Sequence, residues 1–149
     1  MKIFFRIIFK MFLILTILIG CETTEQAEET DPIVLLNQGI ASFEEGQYDR
    51  AIAYFNKAIE LNPRYSDAYN NRGFAYYEKG QYDKAISDYN KAIELNPKFA
   101  MAYNNRGIAY FYKKEYDEAW DDVYKAQNLG YKVHSGFFKA LRQASGREK

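Results

Sequence analysis

From Pro32 onward, apolar side chains return every three or four positions, and turn signals cut the pattern at regular intervals. Ile86, Tyr89 and Ile93 follow one another at helical spacing, and the run closes at Asn96-Pro97. Proline ends it because it has no N–H to donate and disfavours a helical residue before it. Gly80-Gln81 interrupts the pattern upstream, so the predicted unit is helix, turn, helix. Asp31-Pro32 reads as a start, with Asp as N-cap and Pro at the first helical position. Ser66 is the corresponding candidate cap for the next unit.

The same sentence is then repeated. GQYDRAIAYFNKAIELNPRY (46–65) returns as GQYDKAISDYNKAIELNPKF (80–99), and AYNNRGFAYY (68–77) returns as AYNNRGIAYF (102–111), both offset by 34. KEYDEAWDDVYKAQNLGY (114–131) is a third, diverged ending without the proline. A fixed period of this length predicts stacked supersecondary units. Gly39, Gly73 and Gly107 form one column of small residues, and Ala51, Ala85 and Ala119 form another. A mid-helix glycine costs about 0.5–1 kcal/mol, so its recurrence implies close helix contact. Tyr69, Tyr76 and Tyr89, then Tyr103, Tyr110 and Val123, supply the bulk between helices.

The spacing Tyr69-x2-Arg72-Gly73-x2-Tyr76, then Ala85-x3-Tyr89, then Pro97, resembles the tetratricopeptide (TPR) repeat. The resemblance covers Pro32 to about Val133 and implies an all-α TPR solenoid of three repeats, 32–65, 66–99 and 100–133. Phe137, Leu141 and Ala144 add an amphipathic helix in 134–149, where Leu141 falls in the glycine column. With no further helix to contact, this segment reads as a cap over the apolar end of the stack. The expected total is seven helices. The family usually carries Leu where Arg72 and Arg106 stand. Units with those arginines also have Asp88 and Asp122 sixteen residues later, whereas unit one has Gln38 and Tyr54. The paired change predicts two bridges, Arg72–Asp88 and Arg106–Asp122, between the helices of each unit.

The N-terminus obeys a different pattern. Lys2, Arg6 and Lys10 precede an apolar run from Met11 to Ile19, which ends at Gly20-Cys21. The run is about half of the roughly 20 residues a spanning helix needs, and it shows no polar face for a core helix. A basic start, short apolar stretch and small residue fit a secretory signal. Leu18-Ile19-Gly20-Cys21 resembles the lipobox of bacterial lipoproteins. That resemblance implies cleavage after residue 20, a diacylglycerol on the Cys21 thiol, and localisation to the bacterial envelope, with Glu22 compatible with the outer membrane facing the periplasm. Residues 21–31 would be an acidic tether, since Glu22, Glu25, Glu28, Glu29 and Asp31 face no base.

Charge and composition narrow the chemistry. Without residues 1–20 the chain has 17 basic and 20 acidic groups, and the part beyond Asp31 is nearly balanced. No clustered positive field for nucleic acid is present. One cysteine and one histidine, His134, exclude an internal disulfide framework and multi-cysteine zinc. His134 reads as an exposed or capping residue, and Asp121-Asp122 as part of a solvated helix face. No catalytic motif or cofactor is expected. The TPR resemblance instead implies a protein or peptide partner on a concave face comprising Leu36, Ile40, Asn70, Phe74, Tyr77, Asn104, Ile108 and Phe111. Leu36 and Ile40 replace the Lys and Asn with which the chaperone-tail version of the fold grips a carboxylate. Two functions follow: a membrane-tethered adaptor using this groove, or a structural subunit of an envelope complex using the convex face or cap.

Overall fold

The computed structural model describes residues 31–147. The N-terminal apolar run, Cys21 and the acidic segment up to residue 30 lie outside the described residues. Within them are seven helices: α1 (Pro32–Glu44), α2 (Tyr48–Leu61), α3 (Ser66–Glu78), α4 (Tyr82–Leu95), α5 (Ala100–Lys113), α6 (Tyr116–Asn128) and α7 (Ser135–Ser145). Asp31 starts α1, its Oδ1 accepting the Ile33 N–H at 2.7 Å. Ser66 does not cap α3. The helix begins one residue earlier than predicted, so Tyr65 holds the cap position with no side-chain bond, and the Ser66 hydroxyl sits 3.4 Å from Asp67 Oδ2. Asn62 and Asn96 close α2 and α4, their Oδ1 atoms accepting from Arg64 N at 3.1 Å and Lys98 N at 3.2 Å. α6 leaves instead through Gly130, at φ +88°.

Each helix packs on the next, α1 on α2 through to α6 on α7, and α1, α3 and α5 also touch one another in sequence. The chain is therefore an all-α solenoid, with its core divided among the hairpins rather than pooled in one centre. Ala51, Ala85 and Ala119 are fully buried, letting the second helix of each hairpin approach the first. Opposite the glycines stand Phe55, Tyr89 and Val123, all essentially without solvent contact. Burying such a side chain contributes roughly 1.5–3 kcal/mol.

Arginine ties the stack together. Arg72 Nε and Nη2 donate to Asp88 at 2.8 and 2.6 Å, and Nη1 donates to Asn56 of the preceding hairpin at 2.6 Å. Arg106 repeats the arrangement with Asp122 (2.7 and 2.6 Å) and with Asn90 (2.5 Å). The rings of Tyr69 and Tyr103 lie 5.4 and 5.5 Å from the two guanidinium centres. Each arginine thus joins three helices, not two. Asp122 is buried rather than on a solvated face, because one residue along a helix turns about 100° and leaves only Asp121 in solvent. Burial pushes the Asp122 carboxyl up, and its hydrogen bond and charge pairing with Arg106 pull it only part of the way back.

A second tie runs along the surface near the hairpin turns. Lys79 pairs with Asp49, Lys113 with Asp83 at 2.7 Å, and Arg147 with Asp117 at 2.6 Å. All three pairs join residues 30 apart, so α7 and the residues after it continue the register of the repeats. Leu141 is fully buried with Trp120 and Val123, and Trp120 Nε1 donates to Ser145 Oγ at 3.0 Å. His134 caps α7, its Nδ1 accepting from Gly136 N at 3.2 Å.

Candidate functional site

The first helices of the hairpins make up the inner face, and aromatic rings run along it in contact. Phe43 stacks on Phe74 at 4.9 Å, Phe74 lies 6.0 Å from Tyr77, and Tyr77 meets Tyr112 edge-on at 5.6 Å. Tyr82, at the start of α4, stacks on Tyr112 at 5.4 Å. Phe111 then carries the series to Phe137 of the cap at 5.5 Å. The period of 34 explains the order: Phe43, Tyr77 and Phe111 share one position, and Tyr48, Tyr82 and Tyr116 another.

Between α3 and α5 this face opens into a cavity of about 260 Å³, lined by Phe74, Tyr77, Glu78, Tyr89, Asn105 and Ile108. It is smaller than typical small-molecule sites of about 300–1,000 Å³ and suits a single inserted side chain. Three expected groove residues, Phe74, Tyr77 and Ile108, meet here. The other five sit elsewhere. Leu36 is buried in the first core cluster and Ile40 packs against it. Phe111 packs against the cluster under the cap. Asn70 and Asn104 are only 4% and 6% exposed, and their amides meet Asn105: Asn105 Nδ2 donates to Asn70 Oδ1 at 3.2 Å, and Asn104 Nδ2 donates to Asn105 Oδ1 at 3.5 Å. These two asparagines are thus directed between helices rather than into an open groove.

Tyr89, Asn105 and Glu78 were not among the expected site residues. Asn105 carries a signal, since Asn37, Asn71 and Asn105 form an unbroken column. Tyr89 carries a subtler one: its column reads Phe55, Tyr89, Val123, so the hydroxyl belongs to the middle repeat alone. That ring is fully buried, and among the described residues no group hydrogen-bonds to its hydroxyl. Burial, with the nearby charges of Tyr77, Asp88 and Glu78, pushes the Tyr89 pKa far up, so the hydroxyl stays protonated. Tyr77 is raised too, by burial first and then by its hydrogen bond with Tyr112. The cavity therefore offers neutral donors, apolar walls and one exposed carboxylate, with no lysine or arginine among its lining residues. Among the described residues no cluster of three metal-ligating side chains occurs, and no helix is long and apolar enough to cross a membrane.

Comparison with known proteins accords with this geometry. Models described as tetratricopeptide repeat match residues 66–99 and 88–121, and one described as TPR repeat matches 39–80. An uncharacterised protein of Methanocaldococcus jannaschii is 50% identical over 34 residues, 23% of this chain and 40% of that protein. The matching segment thus spans about two-fifths of that relative's length. Among solved structures, the first TPR of Spaghetti (RPAP3), bound to the HSP90 peptide SRMEEVD, is 30% identical at a TM-score of 0.72, with 78% of this chain and 91% of that chain covered. The crystal structure of MamA is 37% identical at a TM-score of 0.65, covering 68% of this chain and 59% of that one. With the repeat period, the helix order and the packing columns all in agreement, the chain is a member of the tetratricopeptide repeat family.

Proposed function

We propose that this protein is an adaptor of the bacterial cell envelope that holds a peptide segment of another protein against its inner face while a lipid on Cys21 tethers it to a membrane. The observation that carries the binding half is the cavity between α3 and α5, set in a continuous row of aromatic rings. Rigid aromatic walls give large contact area at low entropic cost and are typical of residues that dominate binding energy. A related TPR domain binds SRMEEVD, a peptide with three acids and one base. Here Glu78 stands at the rim and no cation lines the pocket, so a similarly acidic ligand would be repelled. The sequence pattern around Gly20-Cys21 carries the tethering half, and the outer membrane facing the periplasm is the proposed location.

Photo-crosslinking in the native envelope tests the binding half. A benzophenone amino acid at Ile108 on the inner face should yield one dominant adduct by mass spectrometry. The same group at exposed Ser87 of α4 should yield none. Equal adducts from both positions, or adducts from Ser87 alone, would move the interface to the outer surface.

A further inference from the structure

We infer that the cavity between α3 and α5 is an anchor pocket for a side-chain carboxamide, glutamine or asparagine, presented by the bound peptide. The inference rests on the inner face being the peptide site and adds the chemistry of what enters it. Its origin is Tyr89. In the first repeat Phe55 fills the equivalent position, contacting Gly39 as the Tyr89 ring contacts Gly73. Packing therefore calls for the ring and not for the hydroxyl. A buried hydroxyl without a partner costs about 1–3 kcal/mol of lost hydration, yet among the described residues Tyr89 Oη has none. A group arriving from outside explains an atom that the fold does not use.

Three properties of the pocket select that group. The hydroxyl stays protonated and its proton has no acceptor among the described residues, which an incoming acceptor supplies. Tyr89 lines the pocket beside Tyr77 and Glu78, and its hydroxyl is the one atom of that side chain the fold leaves unpartnered. Glu78 is exposed at the rim and offers an acceptor, so the incoming group must also donate. A carboxamide does both: its carbonyl takes the Tyr89 proton while its NH2 donates to the Glu78 carboxylate. A carboxylate would face Glu78 as a like charge. An ammonium would satisfy Glu78, but it would leave the Tyr89 proton unmatched and bury a cation against Phe74 and Ile108. An aliphatic side chain would fill the space and leave both polar groups unmet. The volume of about 260 Å³ accommodates one such side chain.

The test uses the full chain and four fluorescent heptapeptide libraries, acetylated and amidated at their ends, with the central position fixed as Gln, Leu, Glu or Lys. Anisotropy should show the Gln library binding about three- to tenfold tighter than the other three, the worth of one or two hydrogen bonds. Tyr89→Phe should bring the Gln and Leu libraries to within twofold of each other without lowering the melting temperature. A Gln preference that survives Tyr89→Phe overturns the assignment, as does a lowered melting temperature, which would mean that the hydroxyl already has a partner in the fold. Tighter binding of the Glu or Lys library overturns it as well. Ile108→Asp separates the two readings. If it weakens every library while Tyr89→Phe changes nothing, the peptide face stands and the carboxamide pocket falls. If libraries bind but Ile108→Asp has no effect, or if no library binds, both fall.

Discussion

The three helix-facing glycines are not equivalent, because the space opposite them grows along the stack. A Cβ built on Gly39 would stand 2.4 Å from Phe55 Cε1, one on Gly73 2.8 Å from Tyr89 Cε1, and one on Gly107 3.2 Å from Asp122 Cβ. The first two distances are far inside contact and involve rings locked in the core. The third asks for a shift of a few tenths of an ångström. Against each stands the helix propensity gained by alanine, about 1 kcal/mol. Gly39→Ala and Gly73→Ala should therefore destabilise by about 1–3 kcal/mol through overpacking, whereas Gly107→Ala should fall within about 0.5 kcal/mol of the parent. Urea denaturation of the three variants checks this, and equal losses would show that helix contact is uniform along the stack. At this scale the sequence was most legible for residues that recur. The joint presence of Arg72 with Asp88, and of Arg106 with Asp122, announced partners sixteen residues apart. Asn56 and Asn90 give no such signal, because their bonds cross between repeats. Periodicity shows Tyr89 only as bulk, because it registers a ring and is blind to the one atom that distinguishes it from Phe55.

At the scale of the element, the turn between α5 and α6 is the irregular one. Gly46 and Gly80 turn the first two hairpins at φ +74° and +71°, and Lys114 occupies the same position at φ +66°. Left-handed backbone is open to glycine and costly for a residue with a Cβ. Lys114→Gly should raise stability by about 0.5–1 kcal/mol, read as a higher urea midpoint with an unchanged slope. No gain would mean that the exposed lysine side chain offsets the strain. The neighbouring Lys113 holds Asp83 and Glu115, both at 2.7 Å, which fixes α5 on α4 independently of the turn. The number and order of helices could be read from proline, glycine and the 34-residue period, because these act locally. Ser66 resembles a cap for the same reason. Local chemistry favours it, but the Asn62–Tyr65 turn, with Tyr65 N donating to Asn62 O at 3.1 Å, sets the helix start one residue earlier. The ladder of Asp with Lys or Arg is not legible in the sequence, because its spacing of 30 differs from the repeat length and appears only once the helices are stacked.

The whole molecule is a tyrosine-rich stack, and its pH response follows from that. Burial raises the pKa values of Tyr65, Tyr77, Tyr89 and Tyr110 above the ordinary value of 10.0. Above pH 10 the unfolded chain releases phenolic protons that the folded chain retains, so unfolding stability falls as pH rises. Below pH 10 the contribution is fully present. Tyrosinate absorbance should therefore lag behind free tyrosine and then rise together with loss of helical circular dichroism; four phenols titrating near pH 10 with the helices intact would contradict the burial. How such a stack is used depends on the residues before it. Ten residues of acidic chain reach about 33 Å when extended, which would keep the inner face close to whatever surface holds Cys21. Two acyl chains suffice for stable anchoring and a single one does not, so the chemistry at Cys21 decides whether lipid or peptide holds the stack. Expressed in a bacterial host fed an alkyne fatty acid, the parent chain should take up label and lose residues 1–20, giving a lipid-modified Cys21 at the mature N-terminus. Cys21→Ser should be unlabelled and uncut. A parent chain that keeps residues 1–20 and takes no label would replace the lipid with the apolar run itself as the anchor, and Cys21→Ser would then fractionate with the membrane as the parent does.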